Sequence, residues 1–353
     1  MLGPVLVAAV AVAALPRATG TAQAGGDGPA AKGPVTILWV GDTTPGSYVG
    51  LPPGDGEGLF SGVRARLRGA GIAAGNLEGT LAEGGASKCG AAGPGGTCFA
   101  FQAPPRYAKG LRSAGFDVMN MANNHAMDFG RRVYWGTVRA LRAQRIARTG
   151  APGLITVLER NGTRVAFVGF SAYHWTNPMT DLARTRTLVR RAATRADVVV
   201  VIMHAGAEGS DQTHVPHGRE VAFGEDRGDT RAFAHTAIDA GADLVLGSGP
   251  HVIRGIERYH HRLIAYSLGN FASQGTFARG GVLSLSGMLE VQVDPDGHVL
   301  GGRWKALELT GQGRPVADPV HMSTYLVRRL SREDFGARAW PIAVDGRLAP
   351  VSG

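Results

Sequence analysis

The chain reads as an α/β protein built on a mixed sheet or on two stacked sheets, and three observations predict this. Short apolar runs of strand length recur from residue 35 onward. Helix-type patterns separate the earlier runs, and the later third is richer in strands alone. At 353 residues, 44% of them apolar, the chain can bury one large core with a small appendage.

Taken in order, residues 2 to 15 (LGPVLVAAVAVAAL) are apolar but too short and Ala-rich to span a bilayer comfortably, and Ala22-Gln23-Ala24 offers a small-x-small cleavage site. Residues 1–24 therefore read as a signal peptide, leading to a secreted or extracytoplasmic protein. No Lys or Arg precedes the apolar run, so retention at the membrane as an uncleaved segment is the alternative. Residues 25–33 form a Gly-rich lead-in. Strands are expected at VTILWV (35–40), IAAGNLE (72–78), FDVMNM (116–121), LITVLE (154–159), VAFVGFSA (165–172), VVVVIMH (198–204), LVLGSG (244–249), LIAYSLGN (263–270) and VLSLSGMLEVQV (282–293). Helices are expected over Phe60 to Ala70, Pro105 to Ala114, Gly130 to Gln144, Thr185 to Ala196 and Asp229 to Ala240. The main domain is set at 34–310. Residues 311–353, loosely patterned, are set apart as a C-terminal extension.

The formal charge is +9, and Arg outnumbers Lys 33 to 4. The arginines fall mostly on segments that read as solvated helix faces. What remains is modest attraction to an anionic cell-envelope polymer. Nucleic acid is excluded as a partner, since no helix-turn-helix, zinc finger or aromatic RNA-binding motif accompanies the charge. The two cysteines, Cys89 and Cys98, lie in the Gly-rich stretch GGASKCGAAGPGGTCF. In an exported chain they read as a disulfide closing a small loop, worth roughly 2.5 to 3 kcal/mol by chain-entropy arithmetic.

The informative polar residues sit at strand ends. VTILWV runs into Asp42, IAAG into Asn76 and Glu78, and FDVMNMA into Asn123, Asn124 and His125. VVVVIM ends in His204, and LVLGSG is followed by His251. Each has a structural reading taken alone, as a cap, a turn or a core histidine. Together they fall on the sheet edge where α/β proteins bind ligands. Carboxylates, carboxamides and imidazoles without thiolates suit a hard or borderline divalent metal ion such as manganese, iron or zinc.

The order of motifs resembles the poly-gamma-glutamate capsule biosynthesis protein CapA family, a branch of the calcineurin-like metallophosphoesterase superfamily. The pieces carrying the resemblance are VGDTTPG (40–46), GNLEGTL (75–81), FQAPP (101–105), LRSAGFDVMNMANNHAMDFG (111–130), VIMHAGAEG (201–209), AIDAGADLVLGSGPHVIRGIERY (237–259) and LIAYSLGNF (263–271). The resemblance implies a metallophosphatase-like sandwich of two mixed β-sheets flanked by helices. It makes Asp42, Glu78, Asn124, His204 and His251 the metal ligands and His125 the acid that assists the leaving group. Asn76 is the alternative to Glu78 as bridging group and otherwise a supporting residue. Glu208 and Asn270 are expected in supporting positions.

Two departures bear on the count of metal ions. The superfamily's Asp-x-His is here Asp42-Thr43-Thr44, and Gly249 stands where family members carry the first histidine of Gly-x-His-Pro-His. One or two ions are therefore expected. The function that follows is an exported CapA-like protein of capsule or cell-envelope polymer biosynthesis, of the poly-gamma-glutamate type, with a metal-dependent, phosphoesterase-like hydrolase site. It would act on a phosphoester or an anionic polymer, within a membrane-associated biosynthesis complex. Two alternatives stand beside it: a non-catalytic polymer-binding or export accessory protein with a degenerate metal site, and a metal-dependent gamma-glutamyl amide hydrolase.

Overall fold

The computed structural model describes residues 31–47, 50–90, 98–275 and 280–350. The signal-peptide segment, 1–24, lies outside the described residues.

The main strands of the two principal sheets are β1 (Val35–Thr44), β2 (Ile72–Leu77), β3 (Val118–Asn120), β4 (Ala147–Thr149), β5 (Thr156–Arg160), β6 (Thr163–Ser171), β7 (Val198–His204), β8 (Leu244–Ser248), β9 (Ile256–Tyr259), β10 (Arg262–Ala265), β11 (Asn270–Ser273), β12 (Leu285–Val293), β13 (Val299–Leu309) and β14 (Pro315–Ala317), with the two-residue strands Asn177–Pro178 and Arg347–Leu348 added beside β6 and β13. The first sheet runs β14-β13-β12-β1-β2-β3-β4, with β11 also paired to β1. Its β1, β2, β3 and β4 are mutually parallel, while β12, β13 and β14 join antiparallel. The second runs β9-β10-β8-β7-β6-β5, parallel from β6 to β10 through β7 and β8, and closed at both edges by antiparallel strands. Both sheets are mixed, as the sequence pattern predicts.

The strand pattern shows how the sheets stack. Val35, Ile37 and Trp39 of β1 join Ile72, Ala74 and Val118 in one apolar cluster with Val165, Phe167, Val198, Val200, Ile202, Leu244 and Leu246 of the second sheet. The intervening residues Leu38, Val40, Ala73 and Met119 turn outward. There they meet α1 (Arg64–Gly69), α2 (Ala108–Ala114) and α3 (Gly130–Ala143). Val199, Val201 and Val245 likewise turn outward beneath α4 (Leu182–Ala193) and α5 (Thr230–Asp239). Strand side chains alternate with period two, so runs apolar at every position belong between two apolar layers.

Helix boundaries follow local chemistry. Asp181 and Asp229 cap α4 and α5, each accepting a backbone N–H in the first turn at 3.0 and 2.8 Å. α2 stops at Gly115, whose φ of 115° a side chain would resist. α1 begins at Arg64 rather than Phe60, because 54–60 form a 3₁₀ segment instead. The run LIAYSLGN is two strands in two sheets. β10 ends at Ala265, the chain turns at Gly269 (φ 70°), and β11 crosses to pair with β1. Beyond Gly311, α6 (Met322–Phe335) places Leu326, Val327 and Leu330 in the inter-sheet core.

Candidate metal centre

The parity that builds the core also aims the polar residues. In β2, Ile72 and Ala74 face the second sheet, so Asn76 does too; in β3, Val118 is followed two residues later by Asn120. His204 follows Val198, Val200 and Ile202 by the same rule, and Ser248 follows Leu244 and Leu246. Asp42 is out of step with Val35, Ile37 and Trp39, and a bulge corrects it. β1 pairs Val40 with Gly75 and Asp42 with Asn76, leaving Gly41 as the extra residue. Only glycine fits there, since a Cβ would lie 1.9 Å from the Gly269 carbonyl oxygen.

These ends converge. One ligand atom from each of Asp42, Glu78 and His204 lies within 4.8 Å of the others, and all three residues are buried. His251 joins them, its Nδ1 3.3 Å from Asp42 Oδ2 and its Nε2 3.7 Å from Glu78 Oε1. His204 Nε2 lies 3.8 Å from Glu78 Oε1, and its Nδ1 lies 3.6 Å from Asp42 Oδ1. His125 Nε2 faces the same Glu78 oxygen at 3.9 Å. Asn124 lines a cavity of about 290 Å³ together with His125 and Glu208.

The amides around this cluster are oriented by carbonyls and N–H groups of known polarity. Asn120 Oδ1 accepts from the Ala122 N–H, so its Nδ2 is the donor to Asn76 Oδ1 at 2.9 Å. Asn123 Oδ1 accepts from the His125 N–H, and its Nδ2 donates to the Leu77 carbonyl and to Asn76 Oδ1. Asn76 thus has its oxygen engaged twice and presents Nδ2 to Asp42 Oδ1 at 2.8 Å and to His204 Nδ1 at 3.1 Å. That arrangement makes Asn76 a support and leaves Glu78 the better-placed bridging group. Asn270 works the same way on the other side. Its Nδ2 donates to the carbonyls of His251 and Leu283, so its Oδ1 receives the His251 Nδ1 proton at 2.9 Å. The lone pair of a neutral His251 then lies on Nε2, toward Glu78 and toward Glu208 Oε2 at 3.5 Å.

The decisive feature is what these groups lack. Glu78 is fully buried, yet neither carboxylate oxygen has a hydrogen-bond partner; His204 Nε2 and Asn124 Oδ1 are in the same condition. A buried carboxylate without hydrogen bonds is costly, and the Glu78 oxygens and His204 Nε2, grouped with Asp42, are the kind of atoms a cation would satisfy. The set is oxygen and imidazole nitrogen with no thiolate, which fits a divalent ion of the hard or borderline kind.

The charge balance agrees. Burial, and then the Asp42 charge, push Glu78 well above the usual carboxylate range. Burial works to raise Asp42 as well, but His204 and His251 hold it well below that range. Burial would lower His251, and the Glu78 and Asp42 carboxylates raise it far above an ordinary histidine instead. Glu208 is opposed by burial but held down at about 2 by His251 and Arg227.

His125 stands beside this group with a carboxylate of its own. Its Nδ1 lies 2.8 Å from Asp128 Oδ2, which also accepts the Phe101 N–H, while the Lys88 ammonium forms an ion pair with the other Asp128 oxygen at 2.8 Å. Burial pushes the imidazole down, and Asp128 partly restores it. Asp128 carries no role in the sequence reading, although its spacing three residues after His125 was visible. Asn120 was legible too, by parity with Val118. Tyr173, Trp175 and Arg227, which border the cavity, had no sequence signal.

The two departures from the resemblance have structural counterparts. Thr44 is buried with its hydroxyl unbonded. Gly249 has φ 117°, and its N–H donates to Asp42 Oδ2 at 3.2 Å. A Cβ there would approach the Ala205 nitrogen to 2.9 Å. The backbone at 249 is therefore shaped to cap Asp42 rather than to carry a side chain. Cys89 and Cys98 are joined in a disulfide, with Lys88 next to it in sequence.

Residues 36–275 match the family model described as bacterial capsule synthesis protein PGA_cap. The chain belongs to this family. Among curated relatives it is 30% identical over 183 residues to the capsule biosynthesis protein CapA of Bacillus anthracis, a match covering 46% of this chain and 41% of that protein. It is 32% identical over 180 residues to the PGA biosynthesis protein CapA of Bacillus subtilis (strain 168), covering 46% and 44%. The aligned part thus spans less than half the length of either relative. Remote structural likenesses include the 5′-nucleotidase precursor of Thermus thermophilus, at 14% identity and a TM-score of 0.42, over 85% of this chain and 59% of that one. Purple acid phosphatase PPD1 of yellow lupin aligns at 7% identity and a TM-score of 0.38, over 82% and 54%. Among the described residues, no helix is long and apolar enough to cross a membrane.

Proposed function

We propose that this PGA_cap family member is an extracytoplasmic, metal-dependent hydrolase of phosphoester type, serving capsule or cell-envelope polymer biosynthesis. The observation that carries the reading is the pair of buried, unbonded Glu78 oxygens ringed by Asp42, His204 and His251, with the His125–Asp128 pair alongside. Asp42, Glu78, His204 and His251 would hold the ion, and Asn124 Oδ1 is the further oxygen for it. A divalent ion there supplies Lewis acidity to a substrate oxygen and acidifies water.

The rest is done by the chain's own residues. Hydrolysis joins a water oxygen to phosphorus and breaks the bond to the leaving oxygen, which takes up a proton. His125, as the imidazolium favoured by Asp128 bonded to Nδ1, provides that proton from Nε2, and the proton given up by the attacking water restores it. Asn76 fixes Asp42, Asn270 fixes His251, and Ser248 Oγ, 3.2 Å from His204 Nδ1, helps Asn76 hold the His204 ring. The disulfide agrees with an oxidising compartment. An anionic envelope polymer, or a phosphoester on its biosynthetic route, is the substrate class.

Gly249 and Thr44 favour a second reading, in which the centre binds a polymer anion without turning it over, because both places offer no imidazole. One experiment separates the two. Residues 25–353 are purified without chelator, bound transition metals are measured by elemental analysis, and a generic phosphodiester is assayed with and without manganese. One or two equivalents of metal, lost in Asp42→Ala together with chelator-sensitive turnover, supports the hydrolase. A folded protein with neither metal nor turnover overturns it, and metal without turnover leaves only the binding reading standing.

A further inference from the structure

Two hollows share one indole. The cavity beside the metal centre is bounded by Asn124, His125, Glu208, Tyr173 and Trp175 among others. A larger one, about 550 Å³, is bounded by Trp175 again, with His174, Trp135, Tyr134, Met127 and Arg131. The shared wall is held in place. Trp175 Nε1 donates to the main-chain oxygen of Asn123 at 3.1 Å, immediately before Asn124 and His125. Tyr173 stacks on the indole, with centroids 4.9 Å apart and planes 19° apart, and His174 meets it edge-on at 4.8 Å. Trp135 is 47% exposed, and the Arg148 guanidinium lies 5.7 Å from its ring centre. The aromatic hollow is thus indexed to the very segment that carries the general acid.

The lining says what would occupy it. Among the described residues, no carboxylate borders the larger hollow, and Arg131 is its one permanently charged group. A chain bearing a carboxylate on every residue would leave most of its charges unmatched there. A ring matches better, because aromatic side chains offer flat apolar faces of fixed orientation at little entropic cost. Cys98 borders the smaller cavity and is bonded to Cys89, which agrees with an oxidising compartment, where envelope glycans are built.

We propose that the larger hollow is a subsite for a sugar ring attached to the phosphate that lies beside His125, so that the substrate class is a glycosyl phosphate of an envelope glycan. The proposal rests on the hydrolase reading for the smaller cavity only.

It is tested by calorimetric titration of the manganese-loaded chain with glucose 1-phosphate, inorganic phosphate, adenosine monophosphate and tri-γ-glutamate, alongside turnover of each ester. Glucose 1-phosphate is expected to bind at least about tenfold more tightly than inorganic phosphate, the equivalent of one good ring contact. Trp135→Ala should bring that ratio near unity, and Trp135→Phe should retain most of it. Equal affinities in the wild type, a ratio unchanged in Trp135→Ala, or tighter binding of the nucleotide or the γ-glutamate oligomer would each overturn the subsite. Ring preference without turnover sinks the hydrolase reading alone, and turnover without ring preference sinks the subsite alone.

Discussion

The buried carboxylate of Glu78 makes a prediction that is unusual for a ligand: its neutralisation should stabilise the metal-free protein. Neither of its oxygens has a hydrogen-bond partner, and Asp42 adds a second negative charge beside it. Leaving a buried charged group unsatisfied costs on the order of 2–3 kcal/mol. Glu78→Gln keeps the shape and removes the charge, so the chelated variant should gain about that much at pH 8. At ~2.1 cal/mol/K per residue over a folded unit spanning Ala31–Gly353, the unfolding entropy is roughly 0.7 kcal/mol/K, and the gain corresponds to about 3–4 °C in melting temperature. Manganese should reverse the order. At about a hundredfold excess over its dissociation constant it adds ~2.7 kcal/mol to the wild type, some 4 °C, and much less to Glu78→Gln. Thermal melts by circular dichroism, with chelator and with metal, give all four values. A chelated variant that melts below the chelated wild type, or equal metal-induced shifts in both proteins, would refute the reasoning.

Asp128→Asn keeps a hydrogen-bond acceptor near His125 but removes the charge that orients the ring, so turnover should fall by about 10- to 100-fold with bound metal unchanged by elemental analysis. Gly249→His should not supply a missing ligand: with φ at 117° and a Cβ meeting Ala205, it should lower stability by about 1–3 kcal/mol in denaturant titration without raising metal content. Reduction of Cys89–Cys98 should cost about 2.7 kcal/mol by loop-closure arithmetic, read as a drop of roughly 4 °C in melting temperature. Asp243 gives the pH dependence. Burial raises it to about 6, against the Val199 N–H and Arg262, which lower it. Its folded pKa lies above its unfolded value of 3.8, so the folded state binds the extra proton. The stability it contributes is full below about pH 3.8 and is lost as pH rises through 6, by up to about 3 kcal/mol. Asp243→Asn should flatten the stability slope over that window in urea titrations at fixed pH steps.

How much of this was legible in the sequence depends on whether a signal is local. The apolar runs of β1, β2, β7 and β8 announce buried strands, and the polar residues that end them announce an edge with chemistry, because both follow from spacing within one segment. The short strand β4 and the long strand β13 do not announce themselves. Ala147–Thr149 is too brief to show a period, and β13 carries Gly301, Gly302, Arg303 and Lys305 among its apolar positions. α6 went unread although two of the strands it packs against, β12 and β13, lie just before it in sequence. LIAYSLGN looked like one strand because nothing in its composition shows that Gly269 carries the chain from one sheet to the other.

At the site, the same distinction separates ligands from their supports. Asp42, Glu78, His204 and His251 stand out because charged and imidazole groups are conspicuous after apolar runs. Asn76, Asn120 and Asn123 act as a connected chain of amides, and only the partners of each reveal which end of it donates. Gly41 holds the clearest lesson. By strict alternation from Val35, Ile37 and Trp39, Asp42 belongs on the helix-covered face, where it could not meet His204 at all. One extra residue in β1, permissible only because glycine lets the Gly269 carbonyl pass, turns it to the inter-sheet side. Gly41→Ala should therefore mimic Asp42→Ala in metal content while leaving every proposed ligand in the sequence, and a variant that still binds a full complement of metal would show that the bulge does not aim the aspartate.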